Sequence, residues 1–262
     1  MKAIHRVLDP RNGDRVPAGL CALAVMTKAP QPGRVKTRLT PPLSPEEAAA
    51  LNICFLRDTT AAISRTAQGG RAQGVAVYTP VGAEAAYADF LPGDFVLAPQ
   101  RGEAFGERLS AATEDLLALG FDSVCLIDSD SPTLQDTAFA QAIDFLARPE
   151  ESVVLGPSDD GGYYLIGLKK LHRRLFEGID WSTEHVLEQT IAAAREIALP
   201  VHLLPTWYDV DDRNTLSRLC AECLGSNGTG DDVFAAPSTR QFLRELIHRE
   251  GRDRIWPDNS RR

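Results

Sequence analysis

Apolar residues along this chain fall into two rhythms. Uninterrupted runs at residues 20–26 and 123–127, bounded by turn residues, read as strands buried on both faces of a parallel sheet. Further strands are predicted at 73–79, 95–98, 153–155, 163–168 and near 201–204. Between them the spacing turns helical. Ser44-Pro45-Glu46-Glu47 is a capping box with proline at the first helical position, and the helix it opens carries Leu51, Phe55, Leu56 and Ile63 on its inner side. Phe105, Leu109, Ala112 and Leu116 form the inner face of a helix over 103–119, ended by Gly120. Helices are also predicted at 83–90, 133–147, 183–197 and 213–224, and a last amphipathic one carries Phe242, Leu243, Leu246 and Ile247. Strands alternating with helices of this length predict an α/β fold with a doubly wound, mainly parallel sheet. Residues 1–19 show no periodicity and are predicted to be a loosely attached leader. Residues 225–232, G-S-N-G-T-G-D-D, read as a flexible linker to the last helix and a polar tail.

Composition narrows the classes. With 262 residues, 44% hydrophobic and 24% charged, the chain has room for one large α/β domain. A net charge of −8 argues against a general nucleic-acid or membrane-surface binder. No apolar run approaches the ~20 residues of a spanning helix. Residues 16–26 have the length of a signal h-region, but Lys28, Pro30 and Pro32 follow and no A-x-A cleavage site does. Five cysteines, an odd number, point to reduced thiols and a cytoplasmic setting. Cys220 and Cys223 make one C-x-x-C in a helical context, read as buried thiols rather than a redox or zinc site. The five histidines show no metal-ligand spacing.

The candidate chemistry sits in one basic loop and three acidic ones. Lys28, Arg34, Lys36 and Arg38 follow the first strand, with no acidic residue between Asp14 and Glu46. A cationic loop at the carboxyl end of a parallel strand lies where open α/β sheets bind ligands, and its charge suits a polyphosphate. The alternative is a solvated basic turn; against it, an acidic chain concentrates its positive charge here. A P-loop is excluded, because Arg34 and Val35 separate Gly33 from Lys36-Thr37. Asp128 and Asp130 leave the 123–127 strand together and have the reach to share one hard cation, Mg²⁺ or Mn²⁺, with phosphate oxygens. Alternatively, Asp130 caps the helix that begins near Pro132 and Thr133. Asp209, Asp211 and Asp212 also precede a helix; Asp212 is its natural cap, which leaves Asp211 with less structural work. Asp159 and Asp160 stand beside Gly161-Gly162 and Tyr163-Tyr164. That loop suits close backbone approach and a sugar or base face, or else is a tight turn between strands. One cation bridging carboxylates to a nucleotide diphosphate accounts for all four loops.

Six motifs in order carry a resemblance: M-T-K-A-P-Q-P-G-R-V-K-T-R-L, G-E-R-L at 106–109, S-D-S-P-T-L, D-G-G-Y-Y-L-I-G-L, I-D-W-S-T at 179–183 and Y-D-V-D-D. Over residues 20–219 the chain resembles the bacterial DUF2064 family, the radical-SAM/selenodomain-associated transferases 1, within the nucleotide-diphospho-sugar transferase (GT-A) superfamily. The resemblance implies a GT-A, Rossmann-like three-layer sandwich, a nucleotide or nucleotide-sugar donor, a small-molecule acceptor and Mg²⁺ or Mn²⁺. By position it implies that Lys28, Arg34, Lys36 and Arg38 hold donor phosphates and that Asp130 and Asp211 hold the metal, with Asp128 beside them. It also implies that Asp160 lines the acceptor side with Asp159, Gly161, Gly162 and Tyr163. Asp128 departs from the family, which more often has glycine there. The leader and the helix after Gly230 lie outside the resemblance; that helix is read as peripheral, with an edge cover or a homodimer contact as its alternative role.

Three functions are weighed. The leading expectation is a metal-dependent glycosyltransferase with a nucleotide-diphospho-sugar donor, Asp160 taking the acceptor's proton. The alternative is a nucleotidylyltransferase that moves a guanylyl or cytidylyl group to a phosphorylated small molecule, with no general base. The dense basic loop favours it. A non-catalytic nucleotide-binding protein is the third.

Overall fold

A computed structural model describes residues 5–225 and 236–257; most of the expected linker, from residue 226 on, and the ends of the leader and tail lie outside the described residues. The chain divides into two compact units.

The first unit, built from residues up to 29, 60–128 and 135–208, holds the sheet. Its strands are β1 (Cys21–Lys28), β2 (Ala72–Thr79), β3 (Val96–Pro99), β4 (Ser123–Ile127), β5 (Val153–Pro157), β6 (Tyr163–Leu168) and β7 (Val201–Leu203), in the order β3-β2-β1-β4-β6-β5-β7. β6 runs antiparallel to both β4 and β5, and all other pairings are parallel. This is the mainly parallel GT-A-type sheet expected. The side-chain period of two explains the apolar runs. Ala22, Ala24, Val124 and Leu126 join one core with Leu109, Ala112 and Leu116 of α2 (Phe105–Ala118) and Ala193 and Ala194 of α4 (Val186–Glu196). Leu23, Val25, Cys125 and Ile127 are equally buried on the opposite face, where α3 (Asp136–Leu146) packs on β5 and β6.

Two expectations change here. Residues 6–8 do not trail loosely. Leu8 donates its N–H to the Leu97 carbonyl at 2.8 Å, Leu97 donates to Arg6, and the Leu8 side chain is 2% exposed. The segment thus covers the edge strand β3, whose backbone groups need partners. Phe105, read as part of the inner face of α2, is 51% exposed.

The second unit comprises residues 30–59, 129–134 and those from 209 onward. It contains the basic loop and the start of α1 (Pro45–Ala67). It also contains α5 (Arg213–Leu224), α6 (Pro237–Glu250) and α7 (Arg252–Ile255). The Ser44 box is formed: Glu47 N–H donates to Ser44 Oγ, and Ser44 N–H to Glu47 Oε2. Asp212 caps α5 by accepting from Asn214 and Thr215.

Candidate functional site

Lys36 opens a turn of 3₁₀ helix over Thr37–Leu39 and adopts a left-handed backbone, φ 49° and ψ 38°. For a residue with a Cβ this costs roughly 1–2 kcal/mol, and such outliers gather at functional positions. Its side chain turns inward and is 5% exposed. The ammonium lies 2.9 Å from Asp130 Oδ1 and 2.7 Å from Asp211 Oδ1 and donates to the Val210 carbonyl at 2.8 Å. Three acceptors match the three protons an ammonium carries. The Phe55 ring of α1 lies 5.6 Å from the nitrogen.

Asp130 and Asp211, 81 residues apart, are therefore held on one cation, and that cation is a lysine. Asp130 does not cap α3, whose N-cap is Gln135. Its carbonyl accepts the Val210 N–H at 2.9 Å, which ties the 129–134 loop to the segment before α5. Asp211 is fixed further by Arg38, 2.7 Å from its second oxygen, and by its own N–H donating to Thr215 Oγ1. Burial acts to raise the Asp211 carboxyl, but Lys36 and Arg38 together hold it below the usual carboxylate range. Burial likewise acts to lower Lys36, and the two aspartates outweigh it and raise it. Among the described residues, no group of three or more His, Cys, Asp or Glu side chains is arranged to hold a metal.

The other expected residues divide between the units. Arg34 is an exposed residue of the basic loop in the second unit. Lys28, in the first, is the exposed last residue of β1. The Asp128 N–H donates to the Tyr164 carbonyl at 2.9 Å. The Asp159 N–H donates to the Trp207 carbonyl at 3.0 Å. Asp160 is exposed, and its Oδ1 accepts the Gly162 N–H at 2.8 Å, so it closes the tight turn weighed as the alternative for this loop. Gly161 has φ +90°, and a Cβ there would stand 2.1 Å from the Glu184 carbonyl oxygen; only glycine fits this close approach. Tyr163 packs edge-on against Trp181, which in turn packs edge-on against Phe105. Burial pushes the Tyr163 phenol well up, so it stays neutral.

Sequence reasoning missed Phe55 and the Val210 carbonyl as partners of Lys36. Phe55 carries only a core-periodicity signal, and a backbone acceptor carries none.

The family described as "Uncharacterized protein conserved in bacteria (DUF2064)" matches residues 62–183. The 2-phospho-L-lactate guanylyltransferase of Methanothermobacter thermautotrophicus is 30% identical over 215 residues, 80% of this chain and 85% of that one. The chain belongs to the DUF2064 family. A solved relative from Desulfovibrio desulfuricans G20, a candidate nucleotide-diphospho-sugar transferase by name, shares the fold with a TM-score of 0.76. It is 30% identical over 88% of this chain and 96% of its own. Both of these relatives of the DUF2064 chain carry transferase names, and the expected transferase class stands. No helix of the described residues is long and apolar enough to cross a membrane.

Proposed function

We propose that this chain is a nucleotidylyltransferase that moves a nucleoside monophosphate, guanylyl first among the candidates, onto a phosphorylated small molecule. The observation that carries the reading is the Lys36–Asp130–Asp211 cluster with Arg38 beside it, in a chain 30% identical to a guanylyltransferase over 80% of its own length and 85% of that enzyme's. An ionised phosphate oxygen of the acceptor attacks the α-phosphorus of a nucleoside triphosphate. A new P–O bond forms, the bond to the β-phosphate oxygen breaks, and pyrophosphate leaves with the electron pair. The basic loop supplies the charge this needs: Lys36, Arg38 and Arg34 offset the triphosphate and the departing pyrophosphate. No proton has to be removed from the acceptor, which agrees with Asp160 closing its own turn. We assign the acceptor to the 159–163 loop on the family resemblance.

Asp130 and Asp211 suit a divalent cation. Both are carboxylates, the donor type of Mg²⁺ and Mn²⁺, and the Lys36 ammonium is a stand-in cation on both at once. Such an ion, when bound, neutralises phosphate charge. Mg²⁺ keeps waters and takes one or two carboxylates plus substrate phosphates, so two aspartates are a sufficient protein share. Asp128 is a further carboxylate in the adjoining sequence, and five unpaired cysteines, all buried, support the cytoplasm as the setting.

The second reading, glycosyl transfer from a nucleotide sugar, is favoured by the name of the Desulfovibrio relative. A panel of nucleoside triphosphates and nucleotide sugars, offered with Mn²⁺ and phosphorylated small acids, separates the two. Pyrophosphate release from a triphosphate supports nucleotidyl transfer, and nucleoside diphosphate release from a nucleotide sugar overturns it.

A further inference from the structure

Lys36 holds its position by three bonds that use every proton of its ammonium. In this arrangement it has none to give a phosphate, although it lies at the centre of the basic loop. The carboxylate oxygens it grips, Asp130 Oδ1 and Asp211 Oδ1, are the ones a divalent ion needs. With Lys36 in place, an added ion would put three positive charges on the same two oxygens. At separations of a few ångströms and with the lysine 5% exposed, that repulsion is only weakly screened. The lysine has no compensating place to go unless an anion arrives, because a buried ammonium stripped of its partners is among the costliest groups in a protein.

Resting on the nucleotidyl-transfer reading, we infer that the Lys36 ammonium and a divalent cation are mutually exclusive occupants of the Asp130–Asp211 pair. Nucleotide phosphate is the ligand that exchanges them: it accepts the ammonium that the metal displaces. Metal and triphosphate therefore bind cooperatively, each weakly alone. Lys36 acts as a placeholder that keeps the two aspartates together before substrate arrives. It is released towards the phosphates when the metal enters.

The test is Mn²⁺ titration followed by electron paramagnetic resonance, on the full chain and on Lys36→Met, each with and without the α,β-methylene analogue of guanosine triphosphate. The analogue's own Mn²⁺ binding is subtracted. Wild type should bind Mn²⁺ weakly alone and at least roughly tenfold more tightly with the analogue. Lys36→Met should bind Mn²⁺ without nucleotide at least roughly tenfold more tightly than wild type does, since no ammonium has to leave. Equal affinity of the two proteins in the absence of nucleotide overturns the exclusion. If circular dichroism shows that Lys36→Met does not fold, the wild-type pair of titrations decides, and equal Mn²⁺ affinity with and without the analogue overturns it. Either failure leaves nucleotidyl transfer standing if pyrophosphate is still released. Absence of pyrophosphate release sinks the transfer reading without touching the exclusion.

Discussion

Asp58 Oδ2 accepts the backbone N–H of Thr239 at 2.8 Å across 181 residues of sequence, while Oδ1 accepts that of Ser238. The carboxylate, on a residue 2% exposed, thus caps the N-terminus of α6, where the free N–H groups and the helix dipole both favour an anion. Leu243 and Leu246 of the same helix are buried. Although α6 contributes nothing to the sheet, it is bound firmly to α1, the helix that carries Phe55 beneath Lys36. Asp58→Ala should therefore cost about 2–4 kcal/mol, from two charge-assisted bonds and a lost cap. Urea unfolding would measure the loss, and limited proteolysis should cut near α6 first. An unchanged midpoint with a protected α6 would show that the cap is dispensable.

Glu47 makes the second tie between α1 and the C-terminal segment. It accepts from Arg254 at both carboxylate oxygens and from Arg249, and it is 13% exposed. Burial pushes its carboxyl up, but Arg254, the Ser44 N–H and Arg249 hold it below its ordinary value. The sign follows. A depressed folded-state value means the stabilisation is fully present above the unfolded value of about 4.3 and is lost as pH falls through the folded one. Glu47→Gln should cost about 1–2 kcal/mol at pH 7 and nothing extra once pH is below that window. Thermal melts from pH 7 down to 3 check this. A difference between variant and wild type that stays constant with pH would assign the loss to packing.

How much of this was legible in the sequence depended on what each signal encodes. β4, β6 and α5 begin and end where the apolar runs and the Asp212 cap place them. Strand direction is not encoded in periodicity, so the reversal of β6 was unreadable. Phe105 fits the helical spacing of its neighbours yet lies outside, because it is the first residue of α2 and turns to Trp181 instead. At the site, the sequence predicted one basic loop and three acidic ones at the ends of strands. It did not show that Lys36 would itself neutralise Asp211, a partner 175 residues away.

The thiols give a prediction independent of function. Burial pushes Cys54 up to about 11 and Cys220 and Cys223 to about 12, so almost no thiolate exists at pH 8. An aromatic disulfide reagent should label none of these three in the native protein and all of them in urea. Fast labelling of Cys220 or Cys223 under native conditions would revive the redox reading of the C-x-x-C.

Arg38 separates binding from folding. Its side chain is 75% exposed, so its pair with Asp211 contributes at most about 1 kcal/mol to stability. A phosphate contact from the same guanidinium is charge-assisted and contributes about 1.5–3 kcal/mol. Arg38→Ala should weaken triphosphate binding by about tenfold or more while the melting temperature hardly moves. Calorimetry with the nucleotide analogue reads the first and a thermal melt the second; normal affinity with a lowered melting temperature would make Arg38 a structural residue.

Asp160 decides between the two chemistries. As a general base it would remove the acceptor's proton, a role whose loss costs roughly 10²–10⁴-fold in rate. As a turn residue it needs only an oxygen for the Gly162 N–H, 2.8 Å away. Asparagine keeps that oxygen and cannot act as the base, whereas alanine removes both. Under nucleotidyl transfer to an ionised phosphate, Asp160→Asn should retain kcat within a few-fold of wild type. Asp160→Ala should lose about 1 kcal/mol of stability with the turn bond and raise the acceptor KM as the loop loosens. Steady-state kinetics of pyrophosphate release on the two variants, beside urea melts, make the comparison. A fall of a hundredfold or more in kcat for Asp160→Asn, with stability intact, would restore Asp160 as a base and return the chain to the glycosyl-transfer reading.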